Sequence, residues 1–295
     1  MELQATYWLN GKLQQELTVQ DRGIQYGDGF FTTILVVNKQ VLNWSAHWQR
    51  IKNSSLVLDL PLIAIEQLSD WLEVALNDFF KKNAVKDCVL KIVITRGIGG
   101  AGYQMPEHIE PNCIFYIKPS PIQIKQNELP VMAPMAVGLC QTMASMGSLA
   151  GVKTLNRLEN VMAKTEMANQ GFQEGLMVNA QDHIVCATQS NIYLIKENSV
   201  ITPQITQSGV AGTTRYSINR LLQNLGWKLE EKNILLADIE QADELFLTNA
   251  VRGVQPVKQF LNTDYKTEQT TLIHQAWSNW QMQNATDVMN LKSVK

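Results

Sequence analysis

Apolar and polar positions alternate in short runs at the start of the chain. In YWLNGKLQ (7–14) two such runs flank Asn10-Gly11, a pair that accepts positive φ at both turn positions and predicts a two-residue hairpin. FFTTILVVNKQVLNW (30–44) is β-branched and aromatic on both sides of Asn38-Lys39 and predicts a second. The period then changes. Ser45 offers an N-cap, and Trp48, Ile51 and Leu56 recur at helical spacing behind it. Ile65, Leu68, Trp71, Leu72, Ala75, Leu76 and Phe79 line a second helix. CVLKIVIT (88–95) and CIFYIK (113–118) read as further strands of the same sheet, with the two helices covering one face. PSPIQIKQNELP (119–130), with three prolines in twelve residues, interrupts it.

The second half repeats the mixture. Strands are predicted at 136–142, 175–179, 183–187, 190–195 and 244–249, and helices after Lys153, across 213–226 and across 270–283. No regular βαβ repeat appears, so the pattern predicts an α+β fold, each lobe a mixed sheet with helices. Single cores stop growing near ~250–300 residues, and 295 residues therefore divide into a smaller N-terminal lobe (1–119), a linker (120–130) and a larger C-terminal lobe (131–295) carrying Lys153. The polar tail beyond about Asn284 is expected to fray.

Composition narrows the partners. With 18% charged residues and a formal net charge of −2, no basic field points to nucleic acid or an anionic membrane. Cys88, Cys113, Cys140 and Cys186 have neither zinc-site spacing nor disulfide density and suit a reducing cytoplasm. The start MELQATYWLNGKL lacks a basic segment followed by an apolar one, and no run approaches the ~20 apolar residues that span a bilayer. A cytoplasmic protein is expected.

Lys153, in GVKTLNRLENVMAK (151–164), follows a charge-poor stretch (134–150). A desolvated lysine there has the lowered pKa a nucleophilic amine needs; the alternative is a lysine snorkelling at a helix start. SGVAGTTR (208–215) leads through Gly209 and Gly212 into a helix opened by Thr213 and Thr214, which suits a phosphate, or Thr213 simply caps the helix. Thr248, Asn249 and Gly253 mark a strand end that alone is merely a turn. Arg50 is either a solvated helix residue or a phosphate fork, and Arg96, beside GIGGAGY (97–103), is placed to clamp a substrate carboxylate. That loop lacks the dinucleotide spacing, and the four scattered histidines give a metal or a triad no support.

Taken in order, DRGIQYGDGFFTT, SAHWQRI, ITRGIGGAGY, GVKTLNRLENVMAK, SNIYLI, GVAGTTR and ADELFLTNA resemble the class IV pyridoxal-phosphate enzymes, the group of branched-chain aminotransferases, D-amino-acid aminotransferase and 4-amino-4-deoxychorismate lyase. The resemblance spans roughly 9–257 and implies the two-lobed fold type IV with pyridoxal 5′-phosphate as cofactor. It implies that Lys153 carries the cofactor and moves the proton. It also implies that Arg50, Thr213, Thr214 and Thr248 bind the phosphate, and that Asn191 and Cys186 belong to the cofactor site. Phe31, Arg96, Asn156 and Arg157 are implied to meet substrate; Glu159 is equally a structural residue. KTLNRLE and RGIGGAGY look closest to the lyase, which eliminates pyruvate from 4-amino-4-deoxychorismate to give 4-aminobenzoate for folate. A D- or branched-chain aminotransferase, or a cofactor binder that has lost turnover, are the alternatives. The leaving pyruvate takes its proton from Lys153 or from a positioned hydroxyl such as Thr33 or Tyr103. A homodimer is implied, for which exposed Trp8, Trp44 and Phe31 would be consistent; the same residues are equally candidates for lobe core.

One position departs from the pattern. The group has a glutamate five residues before the asparagine of its SN block, holding a proton on the pyridine nitrogen; here that position is Cys186. A thiol cannot hold it in the same way, and two pKa units there are worth about 2.7 kcal/mol. The electron sink is weaker unless Asp182 or another acid folds in. Aromatisation and a leaving group make this loss more tolerable for a lyase than for a transaminase.

Overall fold

The structure is a computed structural model that describes residues 5–14, 16–125 and 128–293. Its contacts divide the chain into two compact units, Met1–Asn127 with Val152–Asn156 and Gln281–Lys295, and Glu128–Gly151 with Arg157–Trp280. The sequence reading put both returning segments in the second lobe. The contacts that place them with the first are the Phe31 N–H donating to the Lys153 carbonyl (3.0 Å) and the Trp44 indole N–H donating to the Leu291 carbonyl (3.0 Å). Gln126 and Asn127, within the expected linker, lie outside the described residues.

In the first unit, β1 (Thr6–Leu9) and β2 (Lys12–Leu13) form the expected hairpin, with φ of 50° at Asn10 and 76° at Gly11. After α1 (Arg22–Tyr26), β3 (Gly29–Val37) and β4 (Gln40–Val41) form the second, with φ of 48° at Asn38 and 65° at Lys39. Helices α2 (Trp44–Val57) and α3 (Ile65–Lys82) and strands β5 (Cys88–Thr95) and β6 (Asn112–Pro119) complete the expected order. The sheet runs Thr286–Asp287, β4, β3, β5, β6, β1, β2, antiparallel throughout. The two-residue side-chain period sorts its faces. Phe30, Ile34, Leu90, Ile92, Phe115 and Ile117 pack with Leu68, Leu72, Leu76 and Phe79 of α3 into one core. Phe31, Thr33, Lys91, Val93 and Tyr116, on the opposite face, stay half-buried.

Four expectations are corrected in this unit. Helix α2 starts after Asn43, held at φ 54°, so Ser45 is inside the helix rather than its cap. Leu56 points outward at 82% exposure. Trp8 and Trp44 are core residues at 1% and 0%, not surface for a partner. Within the described residues the tail is packed rather than frayed, because Val288 and Leu291 join the core.

The second unit contains β7 (Met135–Leu139), α4 (Leu158–Asn169), β8 (Glu174–Val178), β9 (Ile184–Ala187), β10 (Asn191–Lys196), β11 (Ser199–Pro203), α5 (Thr213–Asn224), β12 (Lys228–Lys232), α6 (Leu236–Glu240), β13 (Glu244–Asn249), β14 (Gly253–Phe260) and β15 (Thr263–Asp264); α7 spans Glu268–Gln283. The sheet order is β12, β11, β10, β13, β14, β7, β8, β9, with β15 paired to β14. Three pairings are parallel and the others antiparallel, which makes it the expected mixed sheet. Strand β14 escapes sequence reading because Pro256 stands inside it, where a missing N–H argues against a central strand. The polar KLEEK of β12 escapes because it is an edge.

Candidate functional site

Lys153 is not at a helix start, since α4 begins five residues later. Strand β4 covers only Val36 and Val37 of β3, which leaves the edge at Gly29–Phe31 open. Residues 153–155 fill it: besides the bond from Phe31, the Leu155 N–H donates to the Gly29 carbonyl (3.0 Å). The lysine backbone is thus held like a strand residue. Its Nζ lies 4.7 Å from the centroid of the Phe31 ring, and Lys91 Nζ lies 4.4 Å from the same centroid. Burial lowers the pKa of Lys91. Thr33 pairs with Lys91 across the sheet and shares its face, whereas Tyr103 is 89% exposed. Sequence reading missed Lys91; the available signal was a single cation inside the apolar run CVLKIVIT.

Arg96 is corrected. It is 2% exposed, and its guanidinium is committed: Nε donates to Asp28 Oδ2 (2.8 Å), and the two terminal nitrogens donate to the carbonyls of Asp59 (2.8 Å) and Leu58 (2.7 Å). Arg22 shares Asp28 Oδ2 (2.9 Å) and donates to the carbonyls of Gly99, Gly102 and Gln104, binding the glycine-rich loop. Burial by itself raises the Asp28 carboxyl, but the bonds and charges of Arg96 and Arg22 outweigh it and hold its pKa below the usual value. Arg22 holds the loop, and Arg96 ties Asp28 to the turn after α2, so its guanidinium is spent on structure. Asn156 likewise donates to the Gly27 carbonyl (3.1 Å), filling the place a Cβ on Gly27 would need.

Arg50 donates to the Thr32 hydroxyl (3.3 Å), which is 2.7 Å from His47 Nδ1. Burial, helped by the Arg50 charge, pushes the His47 pKa well below its ordinary value. The neutral ring therefore accepts the Thr32 proton at Nδ1 and carries its own on Nε2.

Of the residues expected to hold phosphate, Thr213, Thr214 and Thr248 belong to the second unit and Arg50 to the first. Helix α5 opens at Gly212, with no side-chain cap, followed by buried Thr213 and Thr214. A Cβ on Gly212 would meet Asn191 Oδ1 at 2.0 Å, and Asn191 pairs in register with Thr248. Asn191 Nδ2 donates to the Val210 carbonyl (2.9 Å) and fixes the loop before the helix. Thr248 is 1% exposed, and its hydroxyl has no partner among the described residues. A helix N-terminus beside an orphaned buried hydroxyl fits the phosphate of pyridoxal phosphate, the cofactor the sequence implies.

Cys186 is half-buried on β9 and pairs with Met177. Neither nearby acid replaces the missing glutamate. Asp182 is exposed in the β8–β9 turn at φ 59°. Glu174, 2% exposed, accepts from the hydroxyls of Thr188 and Ser190. Ser190 Oγ in turn accepts from Asn249 Nδ2 (3.2 Å), whose Oδ1 accepts the N–H groups of Val251 and Arg252. Glu174 thus connects the segment leading to Asn191 with the turn after Thr248. Arg157 has its pKa lowered by burial, against the opposing effects of Glu159 and Cys186. Glu159 accepts from the Ser145 N–H (2.9 Å), a structural contact.

Comparison with known proteins gives these residues a context. The pattern of the family amino-transferase class IV matches residues 29–260. The chain is 32% identical over 256 residues to aminodeoxychorismate lyase of Vibrio harveyi, covering 85% of this chain and 90% of the relative. It is 28% identical to a putative branched-chain-amino-acid aminotransferase of Methanocaldococcus jannaschii, over 85% and 86%. The crystal structure of 4-amino-4-deoxychorismate lyase from Pseudomonas aeruginosa superposes with a TM-score of 0.77 at 29% identity, covering 90% of this chain and 96% of that one.

Proposed function

This chain belongs to the class IV aminotransferase family, whose enzymes depend on pyridoxal phosphate, and on that premise we propose that it is an aminodeoxychorismate lyase. The reaction is the elimination of pyruvate from 4-amino-4-deoxychorismate to give 4-aminobenzoate for folate. The observation that carries this reading is the 32% identity, over most of both chains, to the lyase of Vibrio harveyi. Cys186 supports it, since an enzyme that aromatises its substrate depends less on a protonated ring nitrogen than a transaminase does.

When bound, the cofactor supplies a carbonyl that takes the substrate amine and a ring that draws electrons from the adjacent carbon. The proposed roles of the protein's own groups follow. Lys153 holds the cofactor and, once released as an amine, removes the proton from the carbon that bears nitrogen. As that C–H bond breaks, the electron pair enters the ring being aromatised and the C–O bond to pyruvate breaks. Thr33, on the face shared by Phe31 and Lys91, protonates the departing enolate in preference to Tyr103. Lys91 replaces Arg96 as the cation for the substrate carboxylate. Thr213, Thr214, Thr248 and Arg50 hold the phosphate, with the His47–Thr32 pair orienting Arg50. Asn191 and Cys186 line the cofactor, Phe31 and Arg157 the substrate, and a cytoplasmic homodimer completes the proposal. No helix among the described residues is long and apolar enough to cross a membrane.

The second reading, a class IV aminotransferase for D- or branched-chain amino acids, is favoured by the 28% identity to the archaeal relative. One experiment separates the readings. Purified enzyme given 4-amino-4-deoxychorismate should release 4-aminobenzoate and pyruvate in equal amounts, while D-alanine or L-leucine leaves the cofactor spectrum unchanged. No 4-aminobenzoate, with amino acid converting the cofactor to its amine form, would establish the transaminase instead; cofactor uptake with neither reaction would mark a binder without turnover.

A further inference from the structure

Apart from the residues assigned to the cofactor, the second unit carries a cavity of about 350 Å³ at the start of β7, beside the turn after α4 and along β14. Its polar lining is unusual. Gln255 is 6% exposed, yet its carboxamide has no hydrogen-bond partner among the described residues. Arg252, half-buried, and Lys258, exposed, make no side-chain hydrogen bond or ion pair among the described residues. By contrast, the buried arginines Arg22, Arg96 and Arg215 each meet a carboxylate. The backbone beneath Arg252 is fixed, since Asn249 Oδ1 accepts its N–H at 2.8 Å.

A largely buried glutamine and two cations, none with a side-chain partner among the described residues, line one cavity and suit an acceptor-rich anion. Met132, Pro134 and Met135 add apolar walls that suit an organic body, and exposed Gln173 lies at the rim. We infer that this cavity binds a small organic carboxylate. Its two oxygens meet Arg252 and Lys258, Gln255 donates to one of them, and its aromatic or branched aliphatic body lies against the two methionines. None of its lining residues is among those assigned to the reaction proposed above.

The test uses the holoenzyme labelled with ¹³C at the methionine methyls, because Met132 and Met135 report from the cavity itself. Benzoate should shift these two resonances saturably. In the double variant R252A/K258A the apparent affinity should fall at least roughly tenfold, about 1.4 kcal/mol, with the other methionine signals unmoved. Acetate, which has charge without body, and benzamide, which has body without charge, should each bind at least roughly tenfold more weakly than benzoate. If the double variant is unstable, K258A alone, an exposed position, should still weaken benzoate. Absence of a saturable shift, undiminished binding in the variants, or inorganic phosphate binding as well as benzoate would each overturn the inference.

Discussion

The amines of Lys91 and Lys153 both approach the ring of Phe31, at 4.4 and 4.7 Å from its centroid. The ring's negative face attracts each cation and replaces part of the hydration that burial removes. The first prediction separates the two amines. Borohydride reduction of the holoenzyme and peptide mapping should place the cofactor on Lys153 alone. Lys91→Met, which keeps the apolar stem and deletes the charge, should leave that adduct intact and raise KM about tenfold or more, the scale of a lost charged hydrogen bond. An adduct on Lys91 would reverse the roles.

Thr248→Val tests the phosphate cradle through opposite effects on two states. The hydroxyl is buried without a partner, so an apolar isostere should leave the cofactor-free protein as stable as before or more so. With cofactor the sign reverses, because a hydrogen bond to phosphate worth about 1.5–3 kcal/mol is lost. Cofactor binding should weaken by roughly ten- to hundredfold. Equal affinity in a spectrophotometric titration would remove Thr248 from the site.

Much of this was legible in the sequence because local chemistry decides it. Asn10-Gly11 and Asn38-Lys39 could make only tight turns, and the helical spacing of Leu68, Leu72, Leu76 and Phe79 found the face that the structure buries. What could not be read depends on distant partners. Ser45 is a good cap by type, yet the helix opens after Asn43, whose left-handed backbone rather than a side-chain cap marks its start. Arg96 looks like a clamp until Asp28 and the carbonyls of Leu58 and Asp59 are placed around it. Lys153 looks like the start of a helix, and only the open edge of β3 makes it extended.

Cys186→Glu restores the carboxylate that the family pattern has at this position. The half-buried site on β9 should then hold a proton on the ring nitrogen. The cofactor absorbance should shift and the amino-acid half-reaction should rise. No change in either would mean that Cys186 does not face that nitrogen.

His47 gives a pH signature. Its folded pKa lies well below the ordinary 6.5, through burial first and the Arg50 charge second. Above about pH 6.5 both folded and unfolded forms are neutral and the contribution to stability is fully present. As pH falls below that value the unfolded chain takes up a proton that the folded chain refuses. Stability should then drop by up to about 1.4 kcal/mol per pH unit until the folded pKa is reached. Denaturant titrations from pH 7.5 to 5 should show this slope, and His47→Gln should flatten it. An unchanged slope in the variant would assign it to other groups.

Glu174 tests whether the two cofactor segments are coupled. Its carboxylate accepts from both Thr188 and Ser190, and Ser190 passes the connection to Asn249 in the turn after Thr248. In Glu174→Gln one oxygen becomes an NH2 group, so one hydroxyl must reverse to accept. If that is Ser190, its own O–H loses the carboxylate acceptor and its oxygen turns toward the new amide, which weakens its hold on Asn249; leaving a buried donor unmet costs about 1–3 kcal/mol. Cofactor affinity should fall by roughly threefold to tenfold, less than for Thr248→Val because the effect is indirect. Ser190→Ala should have a similar effect, and the double variant should be little worse than either single one, because both cut the same connection. A residue that merely stabilises the unit would behave differently, lowering the melting temperature equally with and without cofactor while leaving the affinity where it was.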